Sequence, residues 1–297
     1  MSRRMQGYIF VALAMILVGS TVTASKVIGA SLPPFTATAM RFAIAFPLFC
    51  LLMRWTGVRL PRLDRGDWLI LLLQAAAGSV GYSALMIAGV QMTSAANASV
   101  IIGILPIVAT GISALALGER PGRELLLAVL LAAAGTGVIA YRPDGFASGS
   151  IVGDLLVLGA VACEAVFILL NKRLKTNVEP LTLSAVMTGM GLLLVLLPAA
   201  WEMRSITEIP WTVLWAVAYY AIIPTVCGYL LWYAGAARVS GTEASLFTAL
   251  APVSGLILAI VFLGERAGWQ QWIGAACVLA AIVLPLFKTR SPACNAC

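Results

Sequence analysis

Two ionisable side chains, Glu164 and Arg41, lie inside long apolar segments of this 297-residue chain. A charge at the centre of a membrane helix costs about 2.5 to 3.5 kcal/mol, so each needs a reason to be there. Glu164 either lines a polar cavity, where it could bind a substrate ammonium or carry a coupling proton, or stays protonated and bonds a neighbouring helix. We favour the cavity. Arg41 could hold a substrate carboxylate, but arginine also snorkels or ties helix ends to carbonyls, and we favour that structural role.

Aromatic and small polar side chains could form the wall of such a cavity. In the third apolar segment, Gly78, Tyr82, Met86 and Gly89 recur at three- and four-residue spacing and so share one helix face. An apolar wall with a few polar groups suits an amino acid or another small amphipathic solute. For Tyr82 and Trp232, plain packing explains the pattern equally well. The candidate wall residues are Ser20, Thr23, Tyr82, Met86, Phe167, Tyr229 and Trp232.

Four further residues are candidates for moving parts. Lys26 and Lys172 lie near opposite membrane faces and could act as gates, although interfacial anchoring is the commoner role of lysine. Arg41, described above, is also a candidate for gating or coupling. Pro106 and Pro252 lie at equivalent depths of the fourth and ninth apolar segments. Each removes a backbone hydrogen bond and can kink its helix. We therefore treat both prolines as candidate hinges, although a kink that never moves would look the same in sequence.

Three short patterns have structural explanations. Ser240 and Glu243 open the ninth segment with a Ser-x-x-Glu capping box, so Glu243 is predicted to cap a helix, with substrate contact the minority interpretation. The two Gly-Glu-Arg motifs, at 118–120 and 264–266, place glycine at a helix end and arginine beside the negative end of its dipole. We interpret them as structural markers.

Catalytic and metal sites are not predicted. The chain has no His, and Glu164 is the only carboxylate central to an apolar segment, so an intramembrane enzyme lacks a convergent nucleophile and base. Cys294 and Cys297 form a Cys-x-x-Cys pair without a second ligand pair, which favours an idle tail over a metal site. No Gly-x-x-x-x-Gly-Lys phosphate loop is present for an ATP-driven pump. We expect no catalytic residue, metal or cofactor.

The elements that must position these side chains are membrane helices. Hydrophobic residues make up 61% of the chain and charged residues 10%, with a mean hydropathy of +1.00. A soluble domain carries about 25% charged residues, so soluble, secreted and disordered classes are excluded. A membrane core about 30 Å thick needs about 20 apolar residues per helix. This rule predicts ten spans, at roughly 7–28, 34–53, 68–90, 95–117, 124–141, 152–171, 180–201, 211–236, 241–263 and 269–287.

Basic residues predict the orientation of the spans. The formal net charge is +7, with 19 Lys and Arg. If the N-terminus is cytoplasmic, 14 of the 19 fall on cytoplasmic segments, four fall outside, and Arg41 lies within a span. The positive-inside rule therefore predicts that both termini are cytoplasmic.

A shift of 146 residues superimposes the two halves of the sequence. Leu-Gly-Glu-Arg at 117–120 falls on the same tetrapeptide at 263–266, Pro106 falls on Pro252, and Lys26 falls on Lys172. Each half holds five spans, an odd number, so the second half enters the membrane from the opposite side. The sequence predicts an all-α integral membrane protein with two inverted five-helix repeats, residues 1–146 and 147–290, and a short polar tail at 291–297.

This pattern resembles the EamA-type proteins of the drug/metabolite transporter superfamily. Ten spans in two halves, each with Leu-Gly-Glu-Arg closing its fourth helix, carry the resemblance, and Gly268, Gln271 and Gly274 extend it in the second half. The first half departs by having Pro121 and Glu124. The likeness is specific for the family and weak for the substrate, because members export amino acids, other metabolites or drugs. The overall likeness is greatest to YddG-type amino acid exporters.

The resemblance implies a secondary transporter that works by alternating access and exports aromatic or neutral amino acids across the plasma membrane, the bacterial inner membrane. Export of drugs or other metabolites is the alternative, and an intramembrane enzyme or a channel ranks lower. The expected partners are a small-molecule substrate and membrane lipid, without nucleic acid. Since one chain already holds both inverted halves, we expect a monomer.

Overall fold

The described elements of the computed structural model are all helical. The structure describes residues 2–92 and 150–263, apart from Lys175, Asn177 and Thr207, and scattered positions within 101–135 and 269–280. Two seven-residue segments are π-helical, here named π1 and π2, and residues 203–205 form a short 3₁₀ turn. The helices are α1 Arg3–Gly29, α2 Pro34–Thr56, α3 Arg65–Gln74, π1 Ala75–Gly81, α4 Tyr82–Met92, α5 Ile151–Arg173, α6 Pro180–Glu202, α7 Trp211–Tyr220, π2 Ala221–Cys227, α8 Gly228–Ala236, α9 Gly241–Phe247 and α10 Leu250–Leu263.

Six continuous helical stretches in the described residues are long and apolar enough to cross a membrane: 3–29, 34–56, 65–92, 151–173, 180–202 and 211–236. They correspond to the predicted first, second, third, sixth, seventh and eighth spans. The predicted fourth and fifth spans and the end of the tenth lie largely outside the described residues. So do Pro106, both Gly-Glu-Arg motifs, Cys294 and Cys297. The count of ten, the cytoplasmic termini and the boundaries at 146 and 290 stay predictions.

The helix starts follow from local chemistry. Ser2 caps α1 by accepting from Met5 N at 3.2 Å, and Asp64 caps α3 by accepting from Asp67 N at 2.6 Å. The first residues of α2 and α6 are Pro34 and Pro180, which tolerate this position because their missing N–H would be unpaired there. These caps and prolines remove the cost of orphan amides and fix where each span begins.

The third and eighth spans share an unusual feature. Each is an α-helix interrupted by a π-helical segment, π1 at 75–81 and π2 at 221–227. The first residues of π1 and π2 are 146 positions apart, and so are their last residues. The sequence repeat therefore continues as a repeat of backbone geometry. Hydrogen bonding from i to i+5 widens the helix and is frequent at functional sites.

Helices α2 and α6 are repeat equivalents and run antiparallel. At the start of α2, Thr36 N and Thr36 Oγ1 donate to Glu202 Oε2 at 2.7 and 3.1 Å, and Glu202 is the last residue of α6. Thr36 Oγ1 also donates to the carbonyl of Ala199 at 3.4 Å. The start of one helix therefore meets the end of its counterpart.

Two glycine contacts, at opposite ends of the bundle, are also related by the sequence repeat. A methyl group built on Gly235 of α8 would lie 2.6 Å from Val11 Cγ2 and 2.8 Å from Val11 N of α1. A methyl group on Gly89 of α4 would lie 2.7 Å from Val157 Cγ2 and 3.1 Å from Val157 N of α5. Both partners are related by the same shift of 146 residues. Helices α1 and α8 thus pack as α5 and α4 do.

The predicted ninth span is divided. Helices α9 and α10 are separated at Thr248 and Ala249. Pro252 has no N–H to donate to the carbonyl of Thr248, four residues earlier, and Ala251 N donates to that carbonyl instead at 3.1 Å. The predicted effect of Pro252 on its helix thus appears as a break just before it, and its role as a hinge stays a prediction.

Candidate functional site

A cavity lies among the described residues where α1, α2, π1, α4, α5, α7, π2 and α8 meet. Its volume is about 60 Å³, less than half of a cavity of about 150 Å³ that holds benzene in another protein. An aromatic solute would therefore need a wider cavity than this conformation offers. The lining residues are Ala14, Met15, Val18, Thr21, Arg41, Gly78, Tyr82, Ser83, Glu164, Phe167, Tyr220, Pro224, Thr225, Gly228, Tyr229 and Trp232.

The lining residues come in part from repeat-equivalent positions. Ten of these 16 positions form five pairs separated by 146 residues, so the two halves of the chain present matching positions to one space. The cavity therefore lies at the interface between the halves. The five pairs are Val18 with Glu164, Thr21 with Phe167, Gly78 with Pro224, Tyr82 with Gly228, and Ser83 with Tyr229.

Glu164 lines this cavity from the middle of α5. In the described part of the chain its carboxylate has neither a hydrogen bond nor an ion pair. The prediction that Glu164 bonds a neighbouring helix therefore has no support among these residues. A carboxylate in this place can accept hydrogen bonds from an ammonium group or carry a proton.

Arg41 lines the same cavity from α2, with its side chain 5% exposed. Its Nη2 donates to Ser83 Oγ at 2.9 Å and to the carbonyl of Ser79 at 3.2 Å. The guanidinium carbon lies 4.3 Å from the ring centre of Phe42 and 4.5 Å from that of Tyr220. These contacts hold the guanidinium in one place beside the cavity.

Three aromatic side chains, Phe167, Tyr229 and Trp232, form one wall of the cavity, and Tyr233 packs against this wall. The Phe167 ring centre lies 6.1 Å from those of Trp232 and Tyr233 and 6.5 Å from that of Tyr229. The Tyr229 hydroxyl also shares a hydrogen bond of 3.0 Å with Ser79 Oγ. Such a wall can pack against an aromatic or aliphatic side chain of a solute.

The π-helical segments place several of these groups. Ser79 lies in π1, and its carbonyl faces Arg41. Pro224 and Thr225 lie in π2, where Thr225 Oγ1 donates to the carbonyl of Tyr220 at 2.9 Å. Gly78 in π1 lies so close to Phe167 that a methyl group there would overlap the ring. Both irregular segments therefore border the cavity.

The structure places the predicted wall residues in two groups. Glu164, Tyr82, Phe167, Tyr229, Trp232 and Arg41 lie together at the cavity. The others do not line it: Met86 is buried against Val157 and Ala160, Ser20 Oγ donates to the carbonyl of Leu17 at 2.6 Å, and Thr23 is half-buried.

The two candidate gate lysines have different surroundings. Lys172 donates from Nζ to the carbonyls of Ala236 and Val239, at 2.5 Å each, where α8 ends. Lys26, its repeat equivalent, is exposed near the end of α1. Lys172 thus ties α5 to α8, and no such contact is described for Lys26.

The predicted capping box at the start of α9 is confirmed. Ser240 Oγ accepts from Glu243 N at 3.1 Å, and Glu243 Oε2 accepts from Ser240 N at 2.9 Å. Glu243 also accepts from the Tyr8 hydroxyl at 2.6 Å and pairs with Arg4. The same carboxylate thus caps α9 and joins it to the start of α1.

Sequence reasoning did not single out Ser83, Tyr220 or Thr225 as wall residues. Ser83 could have been found through the repeat, because it is equivalent to Tyr229, which was predicted to line the cavity. Tyr220 and Thr225 have no comparable signal, since only the packing of the end of α7 and of π2 against α1 and α2 brings them to the cavity.

Comparison with protein families gives a match to the EamA-like transporter family at residues 5–141 and again at 151–287. Each half of the chain therefore matches one copy of the same family model. The two matched regions together cover nearly the whole sequence.

Similar proteins are described as transporters. The chain is 30% identical to the uncharacterized transporter YetK of Bacillus subtilis, over 98% of this chain and 89% of that protein. It is 28% identical to a probable terminal-alkyne amino-acid exporter of Streptantibioticus cattleyicolor, over 87% of this chain and 83% of that protein. A crystal structure with 21% identity superimposes with a TM-score of 0.77, covering 96% of this chain and 99% of the other, which shows the fold.

Proposed function

The chain belongs to the EamA-like transporter family, and from that premise we propose that it exports aromatic or neutral amino acids by alternating access. As a family member it is a multi-pass transporter of the plasma membrane and not an enzyme. The substrate, the direction of flux and the mechanism are the parts proposed.

The observation that carries the proposal is the cavity between the two halves with Glu164 in its wall. Alternating-access carriers built from inverted repeats bind their substrate near the midplane, at the interface of the repeats. The repeat-equivalent pairs in the lining and the antiparallel pairing of α2 with α6 support that arrangement.

Glu164 supplies the first element of recognition. An intramembrane carboxylate that lines a cavity is costly to keep and is typical of a substrate or ion pathway. A substrate ammonium offers it up to three hydrogen-bond donors and the opposite charge. We therefore assign the amino group of the substrate to Glu164.

The aromatic wall supplies the second element. Phe167, Tyr229 and Trp232 can pack against a solute side chain without demanding a particular polar group. This favours amino acids with aromatic or larger apolar side chains. The similarity to a probable terminal-alkyne amino-acid exporter supports an amino acid as substrate and export as direction.

The proposal also includes the topology and the oligomeric state: the chain crosses the membrane ten times, has both termini in the cytoplasm, and acts as a monomer. In this topology the two halves are inverted, and one chain forms the entire interface. Because the cavity volume is only about 60 Å³, opening toward either side must widen it. The symmetric segments π1 and π2, which border the cavity, are the positions where such a change would act, together with the break before Pro252.

Transport by the purified protein in lipid vesicles tests the proposal. We expect unlabelled L-phenylalanine inside the vesicles to drive uptake of labelled L-phenylalanine, and leucine to compete less well. Repeating the assay with an imposed proton gradient shows whether protons are coupled. Absence of counterflow for all aromatic and neutral amino acids, with counterflow of a drug or another metabolite instead, would replace the proposed substrate.

A further inference from the structure

The position of Arg41 in α2 argues against snorkelling. Arg41 follows Pro34 by seven residues, which places it about 10 Å along the helix at 1.5 Å per residue. A snorkelling arginine keeps its head in water, whereas this side chain is only 5% exposed. The guanidinium turns instead toward Ser79 and Ser83 of the neighbouring span.

The hydrogen bonds of Arg41 leave part of its capacity unused. A guanidinium has five N–H donors in a fixed planar fork. Both described hydrogen bonds use Nη2, and Nε is buried without a partner in the described part of the chain. The rings of Phe42 and Tyr220 favour a cation beside them, but they do not replace a strong acceptor. The group is held in place and still has donors to offer.

The shared scaffold does not require this charge. The repeat equivalent of Arg41 is Met187, which is fully buried in α6. A methionine satisfies the same position of the fold in the other half. No described carboxylate forms an ion pair with Arg41, although Glu164 lines the same cavity.

On the basis of the proposed function, we propose that Arg41 is the carboxylate-binding subsite of the transporter. Its substrates must therefore carry a carboxylate. A planar guanidinium matches a carboxylate through two parallel charge-assisted hydrogen bonds. With Glu164 on the amino group, the cavity presents one positive and one negative side chain to a zwitterion. Amines and cationic drugs without a carboxylate would meet only Glu164 and leave Arg41 unpaired.

Two ligands that differ only in one group test this subsite. The probes are 3-phenylpropionate and 3-phenylpropionamide, added to the purified full-length protein in detergent while binding and the thermal midpoint are measured. We expect the carboxylate to bind about tenfold or more tightly than the amide, because hydrogen bonds to charged groups contribute at least this factor. Equal binding of the two probes, or no binding of either, would overturn the subsite.

Variants separate recognition from a structural role. In Arg41→Gln we expect the carboxylate and the amide to bind about equally. Arg41→Lys should keep part of the preference for the carboxylate, because lysine retains the charge but not the planar fork of donors. Arg54→Gln removes an exposed arginine from the same helix and should keep the full preference. A structural role would weaken both probes equally and leave their ratio unchanged. If Arg41→Gln does not fold, the two probes on the unmodified protein decide the question.

Counterflow of labelled phenylalanine in vesicles distinguishes the subsite from the proposed function. A carboxylate preference without phenylalanine counterflow would retain the subsite and reject amino acid export. If L-phenylalaninamide inhibits phenylalanine counterflow as strongly as unlabelled phenylalanine does, the carboxylate subsite is rejected and the proposal of amino acid transport is retained.

Discussion

One glycine contact of the bundle is duplicated almost without change, whereas the charged positions of the cavity are not duplicated at all. Gly235 meets Val11 as Gly89 meets Val157, with built-methyl distances of 2.6 and 2.7 Å. In the cavity, Glu164 has Val18 as its repeat equivalent. The two copies of the repeat therefore share helix packing and π-helical geometry and differ at the cavity.

This difference separates scaffold from recognition. A feature present in both halves, such as π1 and π2, is explained by the fold that both halves must adopt. A buried charge present in only one half costs free energy that the scaffold does not require. The positions where the repeat is broken inside the cavity are therefore the best candidates for substrate contact.

The largest effect is expected at Glu164. Glu164→Gln keeps the shape of the side chain and removes the charge, so we expect phenylalanine counterflow to fall about 10- to 100-fold. Glu179→Gln removes an exposed carboxylate outside the spans and should leave counterflow unchanged. Unchanged flux in Glu164→Gln vesicles, with normal protein content, would remove this residue from recognition.

The two lysines offer a comparison of stability. Lys172→Met leaves the carbonyls of Ala236 and Val239 without their donor and should lower the free energy of unfolding by about 1.5 to 3 kcal/mol. Lys26→Met changes an exposed residue and should stay within about 0.5 kcal/mol. Thermal midpoints in one detergent provide the measurement. Equal losses of stability in Lys172→Met and Lys26→Met would contradict the difference between the surroundings of the two lysines.

The duplicated glycine contacts predict matched losses. Gly89→Ala and Gly235→Ala each place a methyl group under 3.0 Å from a valine side chain, so each should cost about 1 to 3 kcal/mol by overpacking. Gly159→Ala is the control, because its nearest neighbour is the flexible end of Leu85 at 3.3 Å. The two losses, measured by thermal unfolding, should agree closely. A loss at one site alone would show that the halves do not pack equivalently.

The smallest effect is expected at Ser83. Ser83→Ala removes one of the two described hydrogen bonds of Arg41 and leaves its charge, so the apparent affinity for phenylalanine should fall about two- to tenfold. Ser31→Ala, at an exposed site beyond α1, serves as the control. The concentration dependence of counterflow measures this change. An unchanged affinity would mean that Ser83 does not position Arg41.

Much of the fold could be predicted from the sequence because lipid imposes simple rules. The length of apolar stretches located the helices now described as 34–56 and 211–236, and Ser-x-x-Glu predicted the cap at Ser240. The π-helical segments could not be predicted, since seven residues with i to i+5 bonding leave no distinct hydrophobic period. Once one π-helical segment is known, the 146-residue offset of the sequence repeat gives the position of the other.

The site was predictable in chemistry more than in geometry. Buried charge identified Glu164 and Arg41, because such residues are costly anywhere in a membrane. Sequence could not decide which way Arg41 turns, and the structural role that it favoured was snorkelling or a bond to backbone carbonyls. The buried side chain disfavours snorkelling, and it does donate to one carbonyl, that of Ser79, as well as to the hydroxyl of Ser83. Met86 shares a helix face with Tyr82, yet it lies against Val157, because α5 covers that part of α4.

Protection of an introduced cavity thiol tests most directly whether the substrate occupies the space between the halves. Val18 and its repeat equivalent both line the cavity, and the Val18→Cys variant can be labelled with a maleimide once the six native cysteines are replaced. We predict that phenylalanine at ten times its dissociation constant slows labelling of this variant about tenfold, and that labelling of Ser31→Cys is unaffected. Equal labelling rates of the Val18→Cys variant with and without phenylalanine, in protein that transports it, would contradict the account.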